Sequence, residues 1–258
     1  MEKIFDLHNH LDTLENFILL RSKIQNHLYK LEDHCLENTQ TTLNVAIYPR
    51  PWQSYPDLIS SLYDLKKKVK SCGDAIQIIT CKSDLKKDFQ LGLILHVESA
   101  RLIKEPRWQV PQLFEIGVRG LIPLHFVDNH FGKSCDDPFR RIGVKKLDQG
   151  LTDQGFALVE QMNELNMWVD VSHTSDKTAS DILRVAKEVM ASHIGIRDLT
   201  DRARNKSLAF FKKLADKNGV IGLQPWQHLI GNQKDDYYRH LNLAINSGLE
   251  KAICIGTD

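Results

Sequence analysis

Short apolar runs alternate with longer amphipathic stretches along the whole chain. The runs are Lys3–Leu7, Leu43–Tyr48, Leu91–Leu95, Val118–Leu124, Met167–Val171, Val189–Ala191, Gly219–Leu223 and Ala252–Ile255. They are brief and apolar at successive positions, as strands buried on both faces of a parallel sheet are. Between them, Leu58, Leu62, Leu65 and Val69 share one helical stripe, and Leu158, Met162 and Leu165 share another. Thr152 sits where an N-cap belongs and Asn166 where a helix stops; Thr178–Lys187 and Leu208–Lys217 complete the helical pattern. The segment Ile76–Asp88 reads as an extra short strand and turn outside the eight. Eight β–α alternations predict an α/β fold, a (β/α)8 TIM barrel, rather than an open doubly wound sheet. No GxGxxG follows the first run, which removes the main dinucleotide-binding reading. No linker or low-complexity tract interrupts the chain, so residues 1–258 are expected to form a single domain. The eighth run is followed at once by Asp258, so a barrel lacking its last helix, or covered there by something else, is expected.

Composition narrows the partners more than the fold. The apolar share of 42% and charged share of 26% allow a full core and leave no reason to expect disorder. A net charge of +1 argues against a nucleic-acid partner, which usually draws a clear basic excess. Lys66, Lys67, Lys68 and Lys70 read as the solvated face of a helix. Cys35, Cys72, Cys81, Cys135 and Cys254 are odd in number and scattered, which predicts free thiols in a reducing compartment. Cys81 and Cys254, in apolar runs, read as small core residues. No run approaches the ~20 apolar residues of a membrane span, and Ile4 and Phe5 leave no room for a signal peptide. A cytoplasmic protein without membrane contact is the expectation.

Six of the runs end in, or just before, a residue able to bind metal or move protons. They supply His8-Asn9-His10, His96-Val97-Glu98, His125, Asp170-Val171-Ser172-His173, His193 and Asp258. In a parallel barrel all strand C-termini open on one face, so residues far apart in sequence converge there. A single histidine after a strand is more often structural, and Glu98 or Asp258 alone could be a helix-terminal or turn residue. Coincidence at so many strand ends is a poorer account than a site. His8 and His10 are two apart on a strand and therefore share a face. Imidazole with carboxylate suits zinc and similar divalent ions, and Glu98 could bridge two of them. Two such ions can share a hydroxide nucleophile and polarise a scissile carbonyl, while a carboxylate such as Asp258 shuttles the proton. Arg197, Arg202 and Arg204 follow the His193 strand, and an arginine is the natural partner of a substrate carboxylate. Spacing alone does not choose among the three.

These residues resemble the membrane (renal) dipeptidase family of zinc peptidases. The match runs from Gly150-Leu151-Thr152 through Met162-Asn163 to Asp170-Val171-Ser172-His173, then Ser192-His193, Arg204-Asn205 and Ile255-Gly256-Thr257-Asp258. The resemblance implies a first metal on His8 and position 10, a bridging Glu98, and a second metal on His173 and His193. It further implies His125 facing the substrate, Arg204 on its carboxylate and Asp258 as proton shuttle. Two divalent ions, most naturally zinc, and a dipeptide-like small-molecule substrate follow from it; a homodimer remains open. Two departures stand out. Position 10 is His10 where the family usually has Asp, and Glu98-Ser99-Ala100 replaces its usual glycine-rich "EGG".

Three other readings are open at this stage. Asp6-x-His8-x-His10-Leu11-Asp12 also looks like the opening of a TatD-like metal-dependent nuclease, although no "GEIGLD"-type segment follows. The same site could serve an amidohydrolase acting on another small amide or a lactone. A degenerate, non-catalytic barrel would be expected to have lost ligands, whereas every position holds a competent one.

Overall fold

The computed structural model describes residues 2–10, 39–138 and 149–258. In chain order the principal elements are β1 (Glu2–Asn9), β2 (Thr39–Ile47), α1 (Tyr55–Ser71), β3 (Ile76–Ile78), β4 (Leu91–Glu98), α2 (Pro106–Ile116), β5 (Val118–Ile122) and α3 (Asp153–Glu164). There follow β6 (Trp168–Asp170), α4 (Asp176–Val185), β7 (Val189–Ile194), α5 (Leu208–Asp216), β8 (Val220–Leu223), α6 (Gln227–Ile230), α7 (Asp236–Asn246) and β9 (Ile253–Ile255). The strands pair in the order β2-β1-β9-β8-β7-β6-β5-β4, all parallel, and β2 pairs with β4 to close the barrel. The eight apolar runs thus become its eight staves. β3 is the extra strand; it pairs with the start of β4 and stays outside the closed ring.

The local chemistry explains the elements. Leu91, Leu93, Leu95 and Val97 on β4 are wholly buried, because one face meets the barrel interior and the other the helices. Leu58, Leu62, Leu65 and Val69 of α1 are buried too, while Lys67 and Lys70 stay in solvent. Ser54 and Asp57 close a capping box at the start of α1, and Thr152 caps α3 by accepting the Gly155 N–H. Asn166, at φ 51°, ends α3 in the left-handed turn that asparagine tolerates.

One core expectation fails. Cys81 is exposed and Cys254 only half-buried, because Cys81 lies in the turn after β3 rather than within a strand. The stretch between β1 and β2, with His27, His34 and Cys35, lies outside the described residues. No helix among the described residues is long and apolar enough to cross a membrane.

Candidate metal centre

The barrel mouth is assembled from strand ends held in place by buried carboxylates. Asp6 accepts hydrogen bonds from the His8 and Thr257 amides and from the Thr257 hydroxyl, which ties the end of β1 to the segment after β9. The Asp258 amide then donates to the His8 carbonyl at 2.9 Å, bringing the two ends of the sequence together. Asp170, at the end of β6, accepts from the amides of Ser172 and Ser192 and so aligns the chain leaving β6 with β7. Its other oxygen faces His96 Nε2 at 3.4 Å. Gly120 lacks the Cβ that would collide with the His96 ring.

On this frame the side chains converge. Glu98 is the hub: its oxygens lie 3.3 Å from His10 Nε2, 3.3 Å from His173 Nε2, 3.5 Å from His125 Nε2, 3.7 Å from His193 Nε2 and 3.8 Å from His8 Nε2. Asp258 Oδ1 stands 3.3 Å from His10 Nε2 and 3.5 Å from His8 Nε2. Three triads, His8–His10–Glu98, His8–His193–Asp258 and Glu98–His125–His173, each bring one donor atom per residue within 4.8 Å of the others. Imidazole nitrogens and carboxylate oxygens at such spacing form a donor set suited to a divalent first-row ion.

At His8 and His193 the electrostatics agree with that use. Burial pushes the His8 pKa down to about 4 and that of His125 to about 3, and it holds His193 well below the usual imidazole value, so these rings are neutral. Burial also disfavours charge on His10, but hydrogen bonds to Asp258 and Glu98 outweigh it and raise that pKa to about 10. Burial would protonate Glu98 and Asp258, yet their histidine partners hold both well below the usual carboxylate range. At His173, Nδ1 meets Asp136 Oδ2 at 3.2 Å. A carboxylate only accepts, so Nδ1 donates to Asp136, while Nε2 lies 3.3 Å from Glu98 and 3.1 Å from His193 Nε2. The residues fit a metal.

Beside the cluster opens a cavity of about 250 Å³, lined by Phe126, Asp136, Arg202, Arg204, Trp226 and His228 among others. Arg204 is 5% exposed, and neither Nε nor Nη2 finds a hydrogen-bond acceptor among the described residues. Its nearest carboxylate is Asp258, at 3.6 Å. Arg197, by contrast, is bound to Asp176 and to the Asn205 carbonyl, and Arg202 donates to the His228 carbonyl. Geometry therefore separates the three arginines that spacing left equal.

All eight predicted residues (His8, His10, Glu98, His125, His173, His193, Arg204 and Asp258) are brought to this one mouth. Sequence reasoning did not pick out Asp136, Ser192 or Gln224, whose amide donates to Asp258 at 2.5 Å. Gln224 directly follows β8 and obeys the same strand-end rule that found the ligands. Asp136 sits in a loop and gave no comparable signal. His228 also lines the cavity, whereas His130 and His240 serve structure, bonding the carbonyls of Ile103 and Ile230.

A closed parallel barrel that gathers such donors at one mouth is the architecture of the metal-dependent hydrolases, and this chain is one of them. It belongs to the membrane dipeptidase family, peptidase family M19, whose sequence profile matches residues 7–258. Curated relatives include an uncharacterised protein of the pqqA 5′ region of Klebsiella pneumoniae, 26% identical over 80% of this chain and 78% of that one. An uncharacterised dipeptidase of Schizosaccharomyces pombe is 25% identical over 70% of this chain but only 44% of its own length. Among solved structures, a metallo peptidase from Rhodobacter sphaeroides, liganded with a phosphinate mimic of the dipeptide L-Ala-D-Ala, superposes with a TM-score of 0.77. The alignment covers all of this chain and 86% of that one at 19% identity, a likeness of fold. An amidohydrolase from Pseudomonas aeruginosa gives 0.73 at 23% identity, over 84% and 66%.

Proposed function

We propose that this chain is a zinc-dependent dipeptidase, hydrolysing the amide bond of dipeptides or related small amides that carry a free carboxylate. The observation that carries the substrate class is Arg204: a buried guanidinium with open donors, facing a cavity next to the imidazole–carboxylate cluster. Leaving such a group unpaired is costly, and a ligand carboxylate is the partner whose geometry it matches.

In this reading His8 and His10 would hold one zinc ion and His173 and His193 a second, with Glu98 as the carboxylate that would serve both. When bound, the ions supply Lewis-acid polarisation of the scissile carbonyl and activation of water. Arg204 anchors the substrate carboxylate and fixes the position of the amide. His125, neutral and with its buried Nδ1 unpartnered among the described residues, would donate to the carbonyl oxygen as it gains charge. Asp258 is ionised, held by Gln224 and drawn toward Arg204, so it can take a proton from water and pass it to the leaving amine.

The test uses the whole protein, stripped of metal and then reloaded with zinc, against an L,L-dipeptide, an L,D-dipeptide, the matching dipeptide amides and single-stranded DNA. Zinc-dependent cleavage of free-carboxylate dipeptides, with weak action on the amides, is expected. DNA cleavage without dipeptide cleavage would replace this reading with the nuclease one.

A further inference from the structure

Ser192 is wholly buried, and its hydroxyl touches two of the histidines at once: His193 Nδ1 at 2.7 Å and His8 Nδ1 at 3.0 Å. These rings come from different strands, β7 and β1, and each turns its Nε2 toward the carboxylates of the cluster. A neutral imidazole has one N–H and one lone pair. If both Nε2 atoms present lone pairs to metal, both Nδ1 atoms carry hydrogens. Both hydrogens then point at one oxygen. A hydroxyl can accept two such bonds, but its own hydrogen must go elsewhere. The neighbour is the Ser172 hydroxyl, 3.3 Å away, which in turn accepts from the His193 amide at 3.2 Å.

From this hydrogen count we infer that Ser192 is a positioning residue: its oxygen is a shared acceptor that sets the tautomer of one ligand on each proposed metal. The inference rests on the reading of the site as a two-metal centre. Two further observations support so strict a placement. Asp170 fixes the Ser192 amide. Gly222, on the neighbouring strand β8, and Gly256, just after β9, each lack a Cβ that would strike the Ser192 carbonyl, so the backbone here is closely enclosed. Threonine keeps the acceptor, whereas alanine removes it and leaves two buried N–H groups without one. Each ring would then gain by moving its proton to Nε2, the atom that must ligate.

The test is zinc titration of metal-free wild-type, Ser192→Ala and Ser192→Thr proteins against a competing chelator. It is paired with NMR of the imidazole nitrogens in the zinc-loaded forms. Outer-sphere partners of this kind typically carry about 10- to 100-fold in metal affinity. Ser192→Ala should therefore bind both zinc equivalents at least roughly tenfold more weakly, and Ser192→Thr should stay near wild type. Hydrogen-bonded Nδ1–H signals should appear for His8 and His193 in wild-type protein. Equal affinity in Ser192→Ala, or weakening confined to one equivalent, overturns the assignment while leaving the dipeptidase reading intact. Wild-type protein that binds no zinc overturns both. Should Ser192→Ala fail to fold, absence of either Nδ1–H signal in zinc-loaded wild type decides against the role.

Discussion

Replacing Arg204 by methionine should push function and stability in opposite directions. The guanidinium is nearly buried, its Nε and Nη2 lack acceptors, and Asp258 at 3.6 Å offsets only part of the cost. Truncating one member of a buried charged pair costs about 2–5 kcal/mol of binding. Taking about 3 kcal/mol, kcat/KM for a free-carboxylate dipeptide should fall roughly 150-fold. The matching dipeptide amide offers no anion, so its kcat/KM should change only a few-fold. Wild type and Arg204→Met on both substrates form a cycle whose coupling should be about 2 kcal/mol or more. In the absence of substrate, an apolar side chain of similar length relieves an unpaired buried charge, and the variant should be about 1 kcal/mol more stable. For a chain of this size that is a rise in Tm of about 2–4 °C. An equal loss on both substrates would refute carboxylate recognition; a large fall in Tm would show that Arg204 holds the fold instead.

Three smaller perturbations follow from the same geometry. Asp136→Asn removes the charge that orients His173 through Nδ1, so zinc affinity should drop about tenfold in a chelator competition; an unchanged constant would count against that role. Ser99 is held at φ 81°, ψ 104°, where glycine sits freely. Relief of about 1–3 kcal/mol of strain, less about 0.5–1 kcal/mol of added chain entropy, makes Ser99→Gly about 1 kcal/mol more stable, read as a higher denaturant midpoint. Asp84 accepts from Lys87, from the Thr80 amide and hydroxyl, and from the Cys81 amide; the Lys87 bond leads in lowering its pKa below the unfolded value. Its stabilisation is therefore full above about pH 4 and lost as the pH falls further, and Asp84→Asn should flatten that acid limb in pH-dependent melts.

The sequence revealed the staves and the ligands because both obey local rules. A strand buried on two faces must be apolar at consecutive positions, and the residue just past its C-terminus must face the mouth. Those two facts located His8, Glu98, His173 and His193 without any tertiary contact. The same logic reaches Gln224 after β8. It does not reach Asp136, which comes from a loop whose path depends on its own hydrogen bonds, among them the Cys135 amide to the His173 carbonyl. Nor could it separate Arg204 from Arg197. Both follow β7, and only the placement of Asp176 at the start of α4 shows that Arg197 is already paired. Cys81 was misplaced for a related reason: an apolar neighbourhood of a few residues does not distinguish a strand from the turn that ends it.

Backbone strain gathers at the mouth in a way that bears on how the ligands are aimed. Ser99 directly follows Glu98, Phe126 directly follows His125, and His173 is itself a candidate ligand; all three non-glycine residues have positive φ, at 81°, 52° and 62°. A parallel strand alternates its side chains, so the residue after an inward-facing ligand would ordinarily continue outward and upward. Here the chain must turn at once, because the imidazoles and the carboxylate of neighbouring strands lie within 4 Å and leave no room for a gradual exit. Left-handed backbone makes that turn in a single residue at a cost of order 1–3 kcal/mol each. Such conformations persist only where the surroundings over-determine them, and a closed ring of eight paired strands, locked by Asp6 and Asp170, provides that constraint. The turn also places the Phe126 ring, half exposed, over His125 and His173. The same unfavourable dihedrals that aim the ligands therefore also build the apolar wall beside Arg204.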